Sequence, residues 1–124
     1  MNVWGPRGDA LFAVGGRPDE GRVYRYDGRA WRDVAIPPLK RASVGAFYKV
    51  WGLHADNVYV VGQRGVVLHR TGGARREELA GASGDLVSVW GTDAAHVLAV
   101  GGTLGSNAGP FFGVALRRPL SATE

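Results

Sequence analysis

Val50-Trp51-Gly52-Leu53-His54-Ala55-Asp56-Asn57-Val58-Tyr59-Val60-Val61-Gly62 is one of three versions of a single pattern. Val3-Trp4-Gly5 leads to Leu11-Phe12-Ala13-Val14-Gly15, and Val89-Trp90-Gly91 leads to Val97-Leu98-Ala99-Val100-Gly101. In every copy the tryptophan precedes the final valine by ten residues, without a gap. A repeat of this length dictates architecture, because each unit must bury its apolar face against a neighbouring unit. The repeats run over approximately residues 1–45, 46–84 and 85–124.

Each copy reads as short strands. Leu11 to Val14, Val58 to Val61 and Val97 to Val100 are apolar runs bounded by turn residues. Such runs fit strands covered on both faces, and their β-branched content favours strand over helix. Before the first run, residues 1 to 5 read as a strand end and Pro6-Arg7-Gly8-Asp9 as a turn. A second shared piece follows. Gly21-Arg22-Val23-Tyr24-Arg25-Tyr26-Asp27-Gly28 aligns with Gly65-Val66-Val67-Leu68-His69-Arg70-Thr71-Gly72, each a glycine, a strand and a turn. Trp31 to Ile36 then predicts a further strand, stopped by Pro37-Pro38. Its counterpart, Arg75-Arg76-Glu77-Glu78-Leu79, fits either an exposed edge strand or one helical turn. Trp4 and Trp51 are 47 residues apart and Trp51 and Trp90 are 39 apart, and the difference falls in connections between strands. Four strands per unit of about 40–50 residues is the periodicity of a β-propeller blade.

Composition agrees. The chain has 124 residues, enough for one domain with a modest core. Its 20 glycines are about twice the usual share and favour many tight turns. With no cysteine, it has neither disulfides nor cysteine-ligated zinc. The formal charge of +4 comes from arginines spread along the chain, often alternating with apolar residues as in Arg22-Val23-Tyr24-Arg25. That alternation reads as the solvated face of strands, and no run is long enough for a basic tail that would favour nucleic acid. No apolar run approaches the ~18 residues of a membrane span. The N-terminus has no signal-peptide pattern, so as written the expected location is cytoplasmic.

The Trp-Gly and Val-Gly pairs, with Tyr26-Asp27-Gly28-Arg29-Ala30-Trp31, resemble the blades of bacterial β-propeller repeat proteins. These are similar in pattern to Asp-box propellers of the sialidase type and to photosystem assembly-factor propellers. The resemblance covers nearly the whole chain. It implies an all-β partial propeller of about three blades with up to four antiparallel strands each, where such propellers usually have six to eight. Members are often secreted or at the cell surface. Two chains closing a six-bladed ring is then the natural homo-oligomer. The Asp-box itself is imperfect here: Arg25 stands in place of the hydroxyl residue, and Asp27 adjoins Gly28 directly. In that family the box is a structural hairpin turn, the role expected of Asp27-Gly28.

No constellation points to chemistry. The tryptophans could stack on sugars or bases, but identical placement in each copy favours a packing role between blades. His54, His69 and His96 occupy three different columns of the repeat and are expected to be strand or surface residues, with no metal. Gly62-Gln63-Arg64-Gly65 and Gly101-Gly102-Thr103-Leu104-Gly105 lack the Lys-Ser/Thr of a phosphate loop and read as hairpin turns. No cofactor is implied. The chain therefore reads as a non-catalytic module for binding a protein or glycan. The alternative is a truncated remnant of a larger secreted propeller. A glycosidase-related propeller comes third, because that chemistry needs residues spread over a complete ring. A ligand site, if present, is expected at the turn after Trp-Gly, where the framework is free to vary: Arg7, His54 and Asp93 stand at this position.

Overall fold

The structure is a computed structural model that describes residues 1–17, 20–36, 45–71, 74–78, 84–102 and 113–117. The described residues form eleven strands and no α-helix. The strands are β1 (Asn2–Arg7), β2 (Ala10–Arg17), β3 (Glu20–Tyr26), β4 (Trp31–Asp33), β5 (Phe47–His54), β6 (Asn57–Gly62), β7 (Val67–Thr71), β8 (Ala74–Glu78), β9 (Asp85–Asp93), β10 (His96–Gly102) and β11 (Gly113–Arg117). They build three antiparallel sheets, β1-β2-β3-β4, β5-β6-β7-β8 and β9-β10-β11, each a meander in chain order. The all-β expectation holds.

The three Trp-Gly hairpins have one register. Trp4 faces Phe12, Trp51 faces Tyr59 and Trp90 faces Leu98. Val3, Val50 and Val89 face Ala13, Val60 and Ala99 in the same way. In each hairpin the pairing slips just after the glycine, so the first strand carries a bulge there. A side chain on the glycine would run into the facing carbonyl of Ala10, Asn57 or His96, which is why the position is glycine each time. The first strand does not end at Trp-Gly as the sequence suggested. It continues through Pro6 to Arg7, and the turn shrinks to Gly8-Asp9. The bulge absorbs Pro6, a residue without an N–H for the ladder.

The sheets touch along their first strands, β1 on β5 and β5 on β9, and across β2 on β5 and β6 on β9. Two cores result. Phe12, Val14 and Val23 of the first sheet meet Phe47, Val50, Val58, Val60, Val66 and Leu68 of the second. Tyr59, Val61 and Val67 of the second meet Leu86, Val89, Val97 and Ala99 of the third. Strand residues alternate between faces, so in β6 the even-numbered valines serve one core, while Tyr59 and Val61 serve the other. This middle strand is covered on both sides, as its continuous apolar run implied, whereas β10, read the same way, leaves Leu98 exposed on its outer face. Polar clamps join the sheets near the cores: the Asn2 side chain accepts the Val50 N–H at 3.1 Å, and Asp85 accepts the Arg64 N–H at 2.9 Å.

Trp31 to Ile36 forms a strand only over Trp31–Asp33; Val34 and Ile36 instead pack onto the first core. Gly16, Arg17 and Glu20, which lie in the longer stretch from Gly15 to Gly21, lengthen the hairpin, with pairing that extends to Arg17–Glu20. The polar segment is the edge strand β8. Leu79 and the turn after Gly102 lie outside the described residues.

Candidate functional site

Arg7, His54 and Asp93 are the last residues of β1, β5 and β9, and all three are exposed. Their pairing partners Ala10, Asn57 and His96 open the second strand of each sheet, so the three positions are equivalent in register. Each finds its partner inside its own hairpin. Arg7 Nε lies 3.2 Å from Asp9. His54 Nδ1 accepts the Asp56 N–H at 3.3 Å. Asp93 accepts the Ala95 N–H at 2.9 Å and lies 2.8 Å from His96 Nδ1. His96, followed by the Ala95 amide, holds the Asp93 carboxyl below its ordinary range. These contacts stabilise tight turns and leave the outer edges of the side chains to solvent.

The tryptophans differ by sheet. Trp4 stacks on Phe12 with centroids 6.4 Å apart, and Trp51 on Tyr59 at 6.5 Å. Both are partly buried and pack onto the cores. A Cβ placed on Gly52 would lie 2.9 Å from Trp4 Cη2, and one on Gly91 would lie 3.0 Å from Trp51 Cη2. The tip of each ring therefore rests on the Trp-Gly glycine of the following sheet. Glycine serves twice at this position, clearing a cross-strand carbonyl and seating the preceding tryptophan. Trp90 has no following sheet among the described residues and is 61% exposed. Beside it Leu98 is 44% exposed, and the two line a groove of about 430 Å³ with Gly91, Thr92, Ala95, His96 and Val97. At the other end, the place over Gly5 is taken by the first sheet's own Leu11, whose Cδ2 would lie 2.6 Å from a Cβ there.

Tyr26 to Trp31 is the hairpin turn its composition indicated. Asp27 Oδ1 accepts the N–H of Arg29 at 2.9 Å and of Ala30 at 3.0 Å, and Gly28 has φ +95°. The Ala30 and Arg29 amides hold the Asp27 carboxyl below the usual range. His54 and His96 are exposed, whereas His69 is buried in β7, stacked on Tyr59 at 4.0 Å with Nε2 2.8 Å from Asn57 Oδ1. Among the described residues no group of three or more His, Cys, Asp or Glu could hold a metal ion, and no helix is long and apolar enough to cross a membrane.

One sequence expectation needs correction. The alternating arginines do not all lie on a solvated face. Arg22 and Arg32 are exposed and paired with carboxylates, but Arg25 and Arg70 are half-buried and the guanidinium nitrogens of Arg75 are buried. Arg22 and Arg25 are three residues apart and so lie on opposite faces of β3, with Arg25 on the inner face beside Val23, where Arg75 of the second sheet meets it at the Phe12 ring.

Comparison with known protein families, with curated proteins and with solved structures returns no match to this chain.

Proposed function

We propose that the chain is a non-catalytic β-propeller-type repeat module, three blades long, that binds protein through the uncovered face of its last sheet. The observation that carries this reading is the exposure of Trp90, at the position where Trp4 and Trp51 are packed under a following sheet. An aromatic ring, a leucine and an apolar groove on one sheet face form a surface of the kind that marks protein contact.

The partner is a second copy of the chain. The interface needed already occurs twice within the molecule, a tryptophan seated on the glycine of the next sheet. Gly5 is the equivalent seat on a second copy, and its cover is the end of one flexible side chain, Leu11. Two such head-to-tail contacts related by a two-fold axis close a ring of six sheets. The row of Arg7, His54 and Asp93 would then line one edge of that ring as a polar rim for a protein or glycan ligand.

Sedimentation velocity at tens of micromolar tests the reading. The wild-type chain should sediment as a dimer and Trp90→Ala as a monomer with unchanged circular dichroism. A wild-type monomer at that concentration, or a dimer that survives Trp90→Ala, overturns it. Glycan binding by a monomer, lost in Trp90→Ala, would assign the groove to sugar stacking instead.

A further inference from the structure

Two arginines meet one aromatic ring between the first two sheets, and a third stands beside them. Arg25 stands opposite Phe12 in the β2–β3 ladder, and its guanidinium carbon lies 5.2 Å from the ring centroid. Arg75 reaches the same ring from β8, at 5.9 Å. Arg70 is the cross-strand partner of Arg75 and shares its face, with Nε donating to the Ala55 carbonyl at 3.3 Å. Arg7, Arg22 and Arg32 each sit beside a carboxylate. Arg75 does not. Its Nε and both Nη atoms are buried without a hydrogen-bond partner. Burial, and then the charges of Arg70 and Arg25, push its guanidinium down to about 10.

A guanidinium carries five N–H donors and stays charged in ordinary conditions. Contact with the Phe12 ring offsets part of its charge but accepts no N–H in plane. Burying such a group beside two other cations, with no acceptor, is a strongly unfavourable arrangement unless an anion joins it. A single carboxylate would neutralise one charge of three. A tetrahedral dianion has enough oxygens to accept from several guanidinium forks at once.

We propose that the cluster of Arg25, Arg70 and Arg75 beside the Phe12 ring binds a compact tetrahedral dianion of the phosphate or sulfate type. Arg75 supplies the principal fork and the other two arginines supply charge. Entry would be past β8, which among the described residues is the outer strand of its sheet. The site is formed by two adjacent sheets of one chain and does not depend on the Trp90 face.

The test is calorimetric and spectroscopic titration of the full chain with inorganic phosphate, sulfate, phenyl phosphate and acetate, each against sodium chloride at equal ionic strength. Saturable binding of phosphate and sulfate should shift the arginine Nε–H resonances and raise the melting temperature. Phenyl phosphate binding as well as phosphate extends the ligand to phosphomonoesters; its exclusion restricts the site to the free ion. Arg75→Leu should melt no lower than wild type in chloride, because an unpaired buried charge is gone, and should bind phosphate about tenfold or more weakly. Arg25→Gln should weaken phosphate binding while leaving the fold intact. No response to phosphate beyond that to chloride, or an equal response to acetate, overturns the proposal on the wild-type chain alone.

Discussion

Substituting the three repeat tryptophans one at a time should divide them into two classes. Trp51 is partly buried, stacks on Tyr59 and rests its ring tip on Gly91. A tryptophan buries up to ~150–250 Å², so a half-covered one removes roughly 100 Å² from water, worth about 2.5 kcal/mol at ~25 cal/mol per Å². The aromatic pair adds on the order of 0.5–1 kcal/mol. Trp51→Ala should therefore cost about 3 kcal/mol, within the usual range for large-to-small core changes. For a chain of this size that lowers the melting temperature by on the order of 10 °C. Trp4→Ala should behave alike, since Trp4 stacks on Phe12 and rests on Gly52. Trp90, 61% exposed with Leu98 as its cross-strand neighbour, should cost under about 1 kcal/mol in the monomer. Urea denaturation followed by far-ultraviolet circular dichroism, at concentrations low enough to keep the chain monomeric, measures all three. Equal losses for Trp51→Ala and Trp90→Ala would refute the seating of tryptophan on glycine, and so would a Trp51→Ala that unfolds with wild type.

The seat itself can be tested from the other side. Gly91→Ala places a methyl against the His96 carbonyl and 3.0 Å from Trp51 Cη2, and should cost about 1–3 kcal/mol, whereas Gly8→Ala meets nothing within 4 Å and should change stability by less than about 0.5 kcal/mol in the same denaturation assay. Asp27 gives a pH dependence. Its folded-state value lies below the unfolded one, so the ionised carboxylate stabilises the turn above the ordinary carboxylate range of about 4, and the contribution is lost as pH falls through the folded value. The stability difference between wild type and Asp27→Ala should therefore shrink in acid; a difference that stays constant from neutral pH to full protonation would contradict the capping role.

The β-class, the three-fold recurrence and most strands were legible, because period and spacing are local properties of the chain. Val58 to Val61 and Gly62-Gln63-Arg64-Gly65 could be assigned as a strand and a turn without knowing their neighbours. The extent of β1 was not legible. Pro6 reads as a turn residue, and only the bulge beside Gly5 lets it continue a strand. Arg7, His54 and Asp93 share one column, since the repeat aligns them by count alone, but they end strands where the sequence reads a turn. Strand parity already puts Arg25 on the face of Val23, but its meeting with Arg75 was not legible. Arg25 and Arg75 lie some fifty residues apart in the chain and meet at Phe12 because two sheets face each other there.

Burial in this protein depends on position in the row of sheets more than on residue type. Tyr59 and Leu98 occupy one column, in strands of the same register and opposite equivalent tryptophans. Tyr59 is buried because the third sheet covers it; Leu98 is 44% exposed because no described sheet covers that face. Among the described residues the first sheet has no neighbour on its other side either, yet there Leu11 folds over Gly5 and fills the empty seat. Its counterparts over Gly52 and Gly91 are Val58 and Val97, too short to do this and packed instead within the cores. The two ends of the row are thus unlike. One closes on itself with a leucine, and the other presents a tryptophan with no described sheet to rest on. A docking interaction between ends would displace a single flexible side chain while covering a tryptophan, a leucine and an apolar groove. That asymmetry is why association should run head to tail and fail when Trp90 is removed.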